Sequence, residues 1–111
     1  MARGSAFNVA PSAARTTSGQ TALLSSMDRA NLRVQLNATV VTGTTPTLDV
    51  VIEDTVDGGT TWNTIGTFTQ LTAAGRQVIN VTSPFTDSVR ARWTIGGTTP
   101  SFTFAVDAYL E

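Results

Sequence analysis

A Gly-Thr-Thr-Pro turn signal occurs twice in this chain, each time between two runs of alternating apolar residues. Gly43-Thr44-Thr45-Pro46-Thr47-Leu48-Asp49-Val50 returns as Gly97-Thr98-Thr99-Pro100-Ser101-Phe102-Thr103-Phe104. A third turn signal, Thr55-Val56-Asp57-Gly58-Gly59-Thr60-Thr61-Trp62, lies between the two copies. Gly and Pro in these positions end one extended segment and begin the next. The pattern predicts a small all-β domain built from hairpins, with residues 42–47 as the loop of one of them.

The flanking runs support this. Leu32, Val34, Leu36, Ala38 and Val40 fall on one face of a strand, and Arg33, Gln35, Asn37 and Thr39 on the other. That is the period of two expected of a half-buried strand. Leu48, Val50 and Ile52 form the predicted hairpin partner, with Asp49 and Glu53 facing outward. Asp57-Gly58-Gly59 marks a tight turn into a strand over residues 61–68. Ala73-Ala74-Gly75 marks the next turn, and residues 77–82 the next strand, which Ser83-Pro84-Phe85 breaks. Val89, Ala91, Trp93 and Ile95 alternate with Arg90, Arg92 and Thr94. Phe102, Phe104, Val106, Ala108 and Leu110 alternate with Thr103, Ala105, Asp107 and Tyr109. Residues 21–26 read as a further short strand, with Met27-Asp28-Arg29-Ala30 as its turn. The spacing fits an antiparallel β-sandwich of six to eight strands, Ig-like or jelly-roll-like.

Residues 1–20 lack either periodicity and contain Pro11 and Gly19 as breakers. They read as an extended N-terminal arm preceding a sandwich over residues 21–111. Twenty residues extend ~65 Å, well past a domain of this size. Phe7 and Val9 are the arm's apolar anchors.

Composition narrows the chemistry. The 111 residues include no Cys, His or Lys, and seven Arg stand against eight acids for a net charge of −1. Disulfides, thiol catalysis and imidazole general bases are therefore excluded. A nucleic-acid binder needs a basic face that this balance does not supply. No apolar run reaches the ~20 residues of a membrane-spanning helix, and the N-terminal segment lacks the apolar core of a secretory signal. The expected setting is the cytoplasm. Charged residues make up only 14% of the chain, while Thr occurs 21 times. Sparse charge suits a surface covered by neighbours.

Few residues carry candidate chemistry. Asp49, Glu53, Asp54 and Asp57 are the local carboxylate cluster. Asp49 and Glu53 lie four residues apart on one strand face, roughly 13 Å, too far to share a substrate or an ion. No catalytic, cofactor-binding or metal-binding residue is assigned. Arg33, Arg90 and Arg92 occupy outward faces and form a stripe if their strands are neighbours. Such a stripe either pairs with acids or docks on an acidic partner surface. Trp93 shares the core face of its strand. Trp62 follows a turn and packs beneath it, while Tyr109 opposes the apolar face of its strand and is the best exposed aromatic. Trp62 and Tyr109 are the candidates for a sugar platform. The sequons at Asn37 and Asn80 have no secretory context.

The segment Thr55–Trp62 resembles the Asp-box, the Ser/Thr-x-Asp-x-Gly-x-Thr-Trp hairpin of sialidases and other propeller proteins. The resemblance implies a structural hairpin in which Asp57 holds the turn made by Gly58 and Gly59, and Trp62 packs under it. A propeller needs several copies, and this chain has one. Over residues 32–110 the motif order resembles small virion proteins of tailed bacteriophages. The Asp-Gly-Gly-x-Thr-Trp hairpin is followed by Arg90-Ala91-Arg92-Trp93-Thr94 and a closing Ser101-Phe102-Thr103-Phe104. That resemblance implies a non-enzymatic virion structural protein assembled in the host cytoplasm, foremost a capsid decoration protein, with no cofactor. Its partners would be the major capsid protein or copies of itself, as a trimer or dimer. A tail or head-tail component and a carbohydrate-binding module that takes a glycan are the alternatives. The expected contacts are Phe7, Val9, Arg33, Arg90, Arg92 and Tyr109.

Overall fold

The computed structural model describes residues 5–21, 32–81 and 89–110. Residues 22–26 of the expected short strand, its turn and the break at 83–85 lie outside these residues. Among these residues there are six strands: β1 (Ser5–Arg15), β2 (Gly19–Gln20), β3 (Leu32–Asp54), β4 (Asn63–Thr67), β5 (Gly75–Val81) and β6 (Val89–Leu110). All described pairings are antiparallel.

Two of these strands, β3 and β6, differ from expectation. The halves of β3 on either side of residues 42–47 do not pair with each other. The strand continues through the turn signal, and both halves pair with β6, from Leu32 opposite Leu110 to Asp54 opposite Val89. The two Gly-Thr-Thr-Pro segments are therefore not hairpins. They are matched bends that face each other in one long ribbon, where the register shifts on both sides of Thr44–Thr98. Gly43 and Gly97 have φ of 112° and 115°, and Thr45 and Thr99 both have φ of 46°. A Cβ on Gly43 would stand 2.7 Å from Thr99 O, and one on Gly97 2.7 Å from Thr45 O. Only glycine permits that approach of backbone to backbone.

The bends fold the ribbon back over itself. Trp93 and Phe104 lie on opposite halves of β6, yet their rings meet edge to face with centroids 5.5 Å apart. An extended strand would hold them roughly 36 Å apart. One layer thus carries β1, the C-terminal half of β6, the N-terminal half of β3, and β5. The other carries β2, the remaining halves of β6 and β3, and β4. Gly66 of β4 packs against Ile79 and Val81 of β5, which ties the layers at the opposite side. Switching of strands between sheets at a bend is the corner device of β-sandwiches.

The core follows the alternation. Leu32, Val34, Leu36, Ala38, Leu48, Val50, Ile52, Ala91, Phe102, Phe104, Val106 and Ala108 are buried, with Trp93, Ile95 and Ile79 packed against them. Burying each large side chain contributes about 1.5–3 kcal/mol. Val40, expected on the core face, is 53% exposed. The register shifts between Ala38 and Val40, and an extra residue in a strand reverses the facing of those that follow.

From Ser5 onward, the segment expected to be an extended N-terminal arm is part of the sandwich. β1 runs beside β6 from Ser5 opposite Leu110 to Arg15 opposite Phe102, with register shifts around Ala10. Those shifts break the period of two, which is why the sequence shows none. Residues 15–21 then cross to the second layer. Arg15 donates to the carbonyls of Phe104 (2.6 Å), Pro11 (2.7 Å) and Ala13 (3.1 Å). Its guanidinium lies 4.3 Å from the Phe104 ring centre and 5.0 Å from that of Trp93. Burial draws its pKa below the usual arginine value. Trp93 Nε1 donates to Thr17 O at 3.2 Å, and Ile95 N donates to Ser18 Oγ at 2.9 Å. The segment is a strap across one side of both layers.

Candidate functional site

The hairpin at residues 55–62 closes on its own side chains. Asp57 Oδ1 accepts from Thr61 N (2.9 Å), Thr60 N (3.1 Å) and Thr55 Oγ1 (2.8 Å), while Oδ2 accepts from Thr61 Oγ1 (2.6 Å). Gly59 N donates to Thr55 Oγ1, and Trp62 Nε1 donates to Gly59 O. Gly58 and Gly59 supply the positive φ of the reversal. The bonds from Thr61, first its side chain and then its backbone, hold the Asp57 pKa down at about 2.

Beside the hairpin, on the outer face of the second layer, Glu53 is buried between two arginines. Its Oε1 accepts from Arg90 Nε at 2.9 Å and its Oε2 from Arg92 Nε at 3.0 Å. Arg90 also lies 4.1 Å from the centre of the Trp62 ring. That guanidinium covers a face of Trp62, so the ring is a stacking surface for Arg90 rather than an open sugar platform. Asp49 accepts from Gln70 Nε2 at 3.0 Å. The carboxylates Asp49, Glu53 and Asp57 are thus each held in a separate structural contact. Among the described residues no three acidic side chains are grouped to hold a metal ion.

The expected stripe of Arg33, Arg90 and Arg92 does not form. Arg90 and Arg92 converge on Glu53, whereas Arg33 lies at the far end of β3, in the other layer. The bend between the two halves of β3 separates them. Val9 packs against this domain's own core rather than reaching out of it. The Phe7 backbone pairs with Ala108.

Arg33 instead borders a groove on the outer face of the first layer. Arg33, Gln35, Val78, Asp107, Ala108 and Tyr109 line about 230 Å³ of open space. Arg33 is opposite Tyr109 in the β3–β6 ladder, and Gln35 is opposite Asp107. Arg33 Nη1 donates to Asn80 Oδ1 of β5 at 3.2 Å. From the other side, Asn8 Nδ2 of β1 donates to Asp107 Oδ1 at 2.7 Å. Alternation placed Arg33, Gln35, Asp107 and Tyr109 on outward faces. Their convergence depends on the pairing of β3 with the C-terminal half of β6, which alternation does not specify.

No protein-family model matches this chain, and no curated protein sequence matches it. Solved structures do. The chain is similar to the PBSX exported protein XepA, with 16% identity and a TM-score of 0.67 over 96% of this chain and 36% of that one. It is similar to a chain of the T13 IBDV viral particle, with 14% identity and a TM-score of 0.56 over 98% and 31%. It is also similar to the CBM36-1 domain of a multidomain xylanase from the hindgut metagenome of Trinervitermes trinervoides. There the identity is 8% and the TM-score 0.55, over 97% of both chains. The chain spans about a third of the first two. At these identities the likeness is one of architecture: the chain is an all-β, antiparallel, jelly-roll-like sandwich, with six strands among the described residues.

Proposed function

We propose that this chain is a non-enzymatic structural protein of a phage virion, a decoration protein that bridges major capsid subunits. The observation that carries the reading is how the ionisable groups are used. Glu53 is clamped by Arg90 and Arg92, Asp57 is bound into its turn, and Arg15 is bound to backbone carbonyls between the layers. These groups stabilise the scaffold and are not poised for reaction. The surface offers strand edges, neutral Thr side chains and exposed apolar residues, among them Val40 and Val56. A surface of that kind suits contact with protein neighbours.

Two further observations support the reading. The order of the hairpin, the Arg-x-Arg-Trp-Thr strand and the closing strand resembles small virion proteins of tailed phages. The fold is shared with a chain of an icosahedral viral particle. In the proposed mechanism many copies sit on the capsid lattice, and weak bridges add through multivalency. Arg92, whose side chain is 43% exposed, and the hairpin tip at Val56 are the proposed contacts. The N-terminal segment contributes through its place in the sandwich.

Co-sedimentation of the purified protein with capsids that lack it tests the proposal. Saturable binding at a fixed ratio to the major capsid protein is expected. Absence of saturable binding would overturn the decoration role.

A further inference from the structure

We propose that the groove on the outer face of the first layer is a binding site for a neutral saccharide. This is independent of the virion reading, and either can fail without the other.

Two opposite charges border this groove and turn away from each other. Arg33 and Asp107 lie diagonally on adjacent strands, with Tyr109 and Gln35 on the other diagonal. Strands ~4.8 Å apart place diagonal side chains ~7–8 Å apart, within reach of a long guanidinium. In the second layer the comparable groups do meet, and Glu53 closes on Arg90 and Arg92. In the first layer each charge is bonded to an asparagine on the strand beyond it. Asn80 takes Arg33 toward β5, and Asn8 takes Asp107 toward β1. The space between them stays open, with Gln35 and Tyr109 beside it.

The chemistry of that space is specific. A guanidinium offers donors, a carboxylate offers acceptors, and a primary amide and a phenol offer both. The cation and anion balance, so an anionic ligand meets Asp107 and a cationic one meets Arg33. The ligand that fits is uncharged and carries adjacent hydroxyls, each able to donate to one group and accept from another. It also needs an apolar face for the half-buried Tyr109 ring and for Val78, which is 41% exposed. A pyranose ring has both properties. The open form of the groove suits one unit of a longer glycan.

The test uses the whole chain, isotopically labelled, titrated with cellohexaose, xylohexaose, maltohexaose and mannohexaose and followed by amide NMR shifts. At least one glycan is expected to shift residues 33–35, 78–80 and 107–109 in a saturable way, with affinity unchanged from low to high salt. Tyr109→Ala and Gln35→Ala should each weaken that binding about tenfold or more, a loss of one or two good contacts. Asp107→Asn, which keeps the side chain's shape, should weaken it as well. Thr64→Ala, at an exposed position of β4 on the opposite layer, should leave it intact. Unchanged thermal midpoints would show that the variants fold. The proposal is overturned if millimolar amounts of all four glycans shift nothing in the groove, or if the shifts survive Tyr109→Ala. It is equally overturned if glycine reproduces the shifts, since that would make the groove a pocket for zwitterions.

Discussion

At residues 55–62 the chain reverses; at residues 43–47 and 97–100 it bends and continues. Both regions are built from Gly, Thr and a rigid or short polar residue. In the first, Asp57 and Thr55 satisfy the turn backbone within eight residues of sequence. In the second, Gly43 lies against the backbone of Thr99 and Pro100, and Gly97 against that of Thr45 and Pro46. The hairpin is self-contained. Each bend exists only because the other one leaves room for it. Similar local grammar therefore serves a local device in one place and a long-range one in the other.

Breaking the long-range device should have the largest effect. Gly97→Ala and Gly43→Ala each add a Cβ within 2.7 Å of a carbonyl oxygen at a φ that disfavours it. Each should cost about 3 kcal/mol or more in urea unfolding. The double variant should cost less than the sum, because the two sites share one contact region. A single-variant cost below about 1 kcal/mol would mean the bends relax independently.

Asp57→Ala tests the local device and should lower the thermal midpoint by less than either glycine variant, with lost amide protection confined to the hairpin. Acid should reproduce this. The folded pKa of Asp57, about 2, lies below its ordinary 3.8, so the unfolded chain takes up the proton first. Its contribution is complete above about pH 4 and drains away as pH falls from 3.8 toward 2. Asp57→Asn should abolish this part of the acid dependence, and an unchanged acid profile in that variant would remove Asp57 as its source.

Substitutions at the two bend threonines should have the smallest effect. Thr45 and Thr99 are β-branched residues held at φ of 46°. Asn adopts that region more readily, so Thr45→Asn and Thr99→Asn should each gain about 0.5–1 kcal/mol. A loss instead would show that the Thr hydroxyls, each donating to the preceding carbonyl, hold the bend.

The same contrast decides what could be read from the residues alone. The alternation placed Leu36, Val50, Phe104 and Val106 in the core, because burial on one face of a strand leaves a period of two. The Asp57 hairpin was legible because its partners are neighbours in sequence. The path of β3 through residues 43–47 was not, because a bend and a hairpin use the same residues and differ only in what lies opposite. Val40 was misplaced by a bulge, and β1 was hidden by two register shifts. For the groove, the outward residues were identifiable singly. Asn8 and Asn80, which hold its charges apart, gave no signal, since their roles arise from strand neighbours distant in sequence.

The long pairing of β3 with β6 also bears on how the chain reaches this state. Every rung of that ladder joins residues far apart in sequence, and the least separated is Asp54 with Val89. Closing a loop costs entropy before any rung repays it, so domains dominated by such contacts fold on the millisecond-to-second scale. The Asp57 hairpin sits beside that least separated rung and shortens the search for it. From there the ladder can close rung by rung toward Leu32 and Leu110, with the paired bends as the point where the growing ribbon must turn over before the second layer can settle on the first.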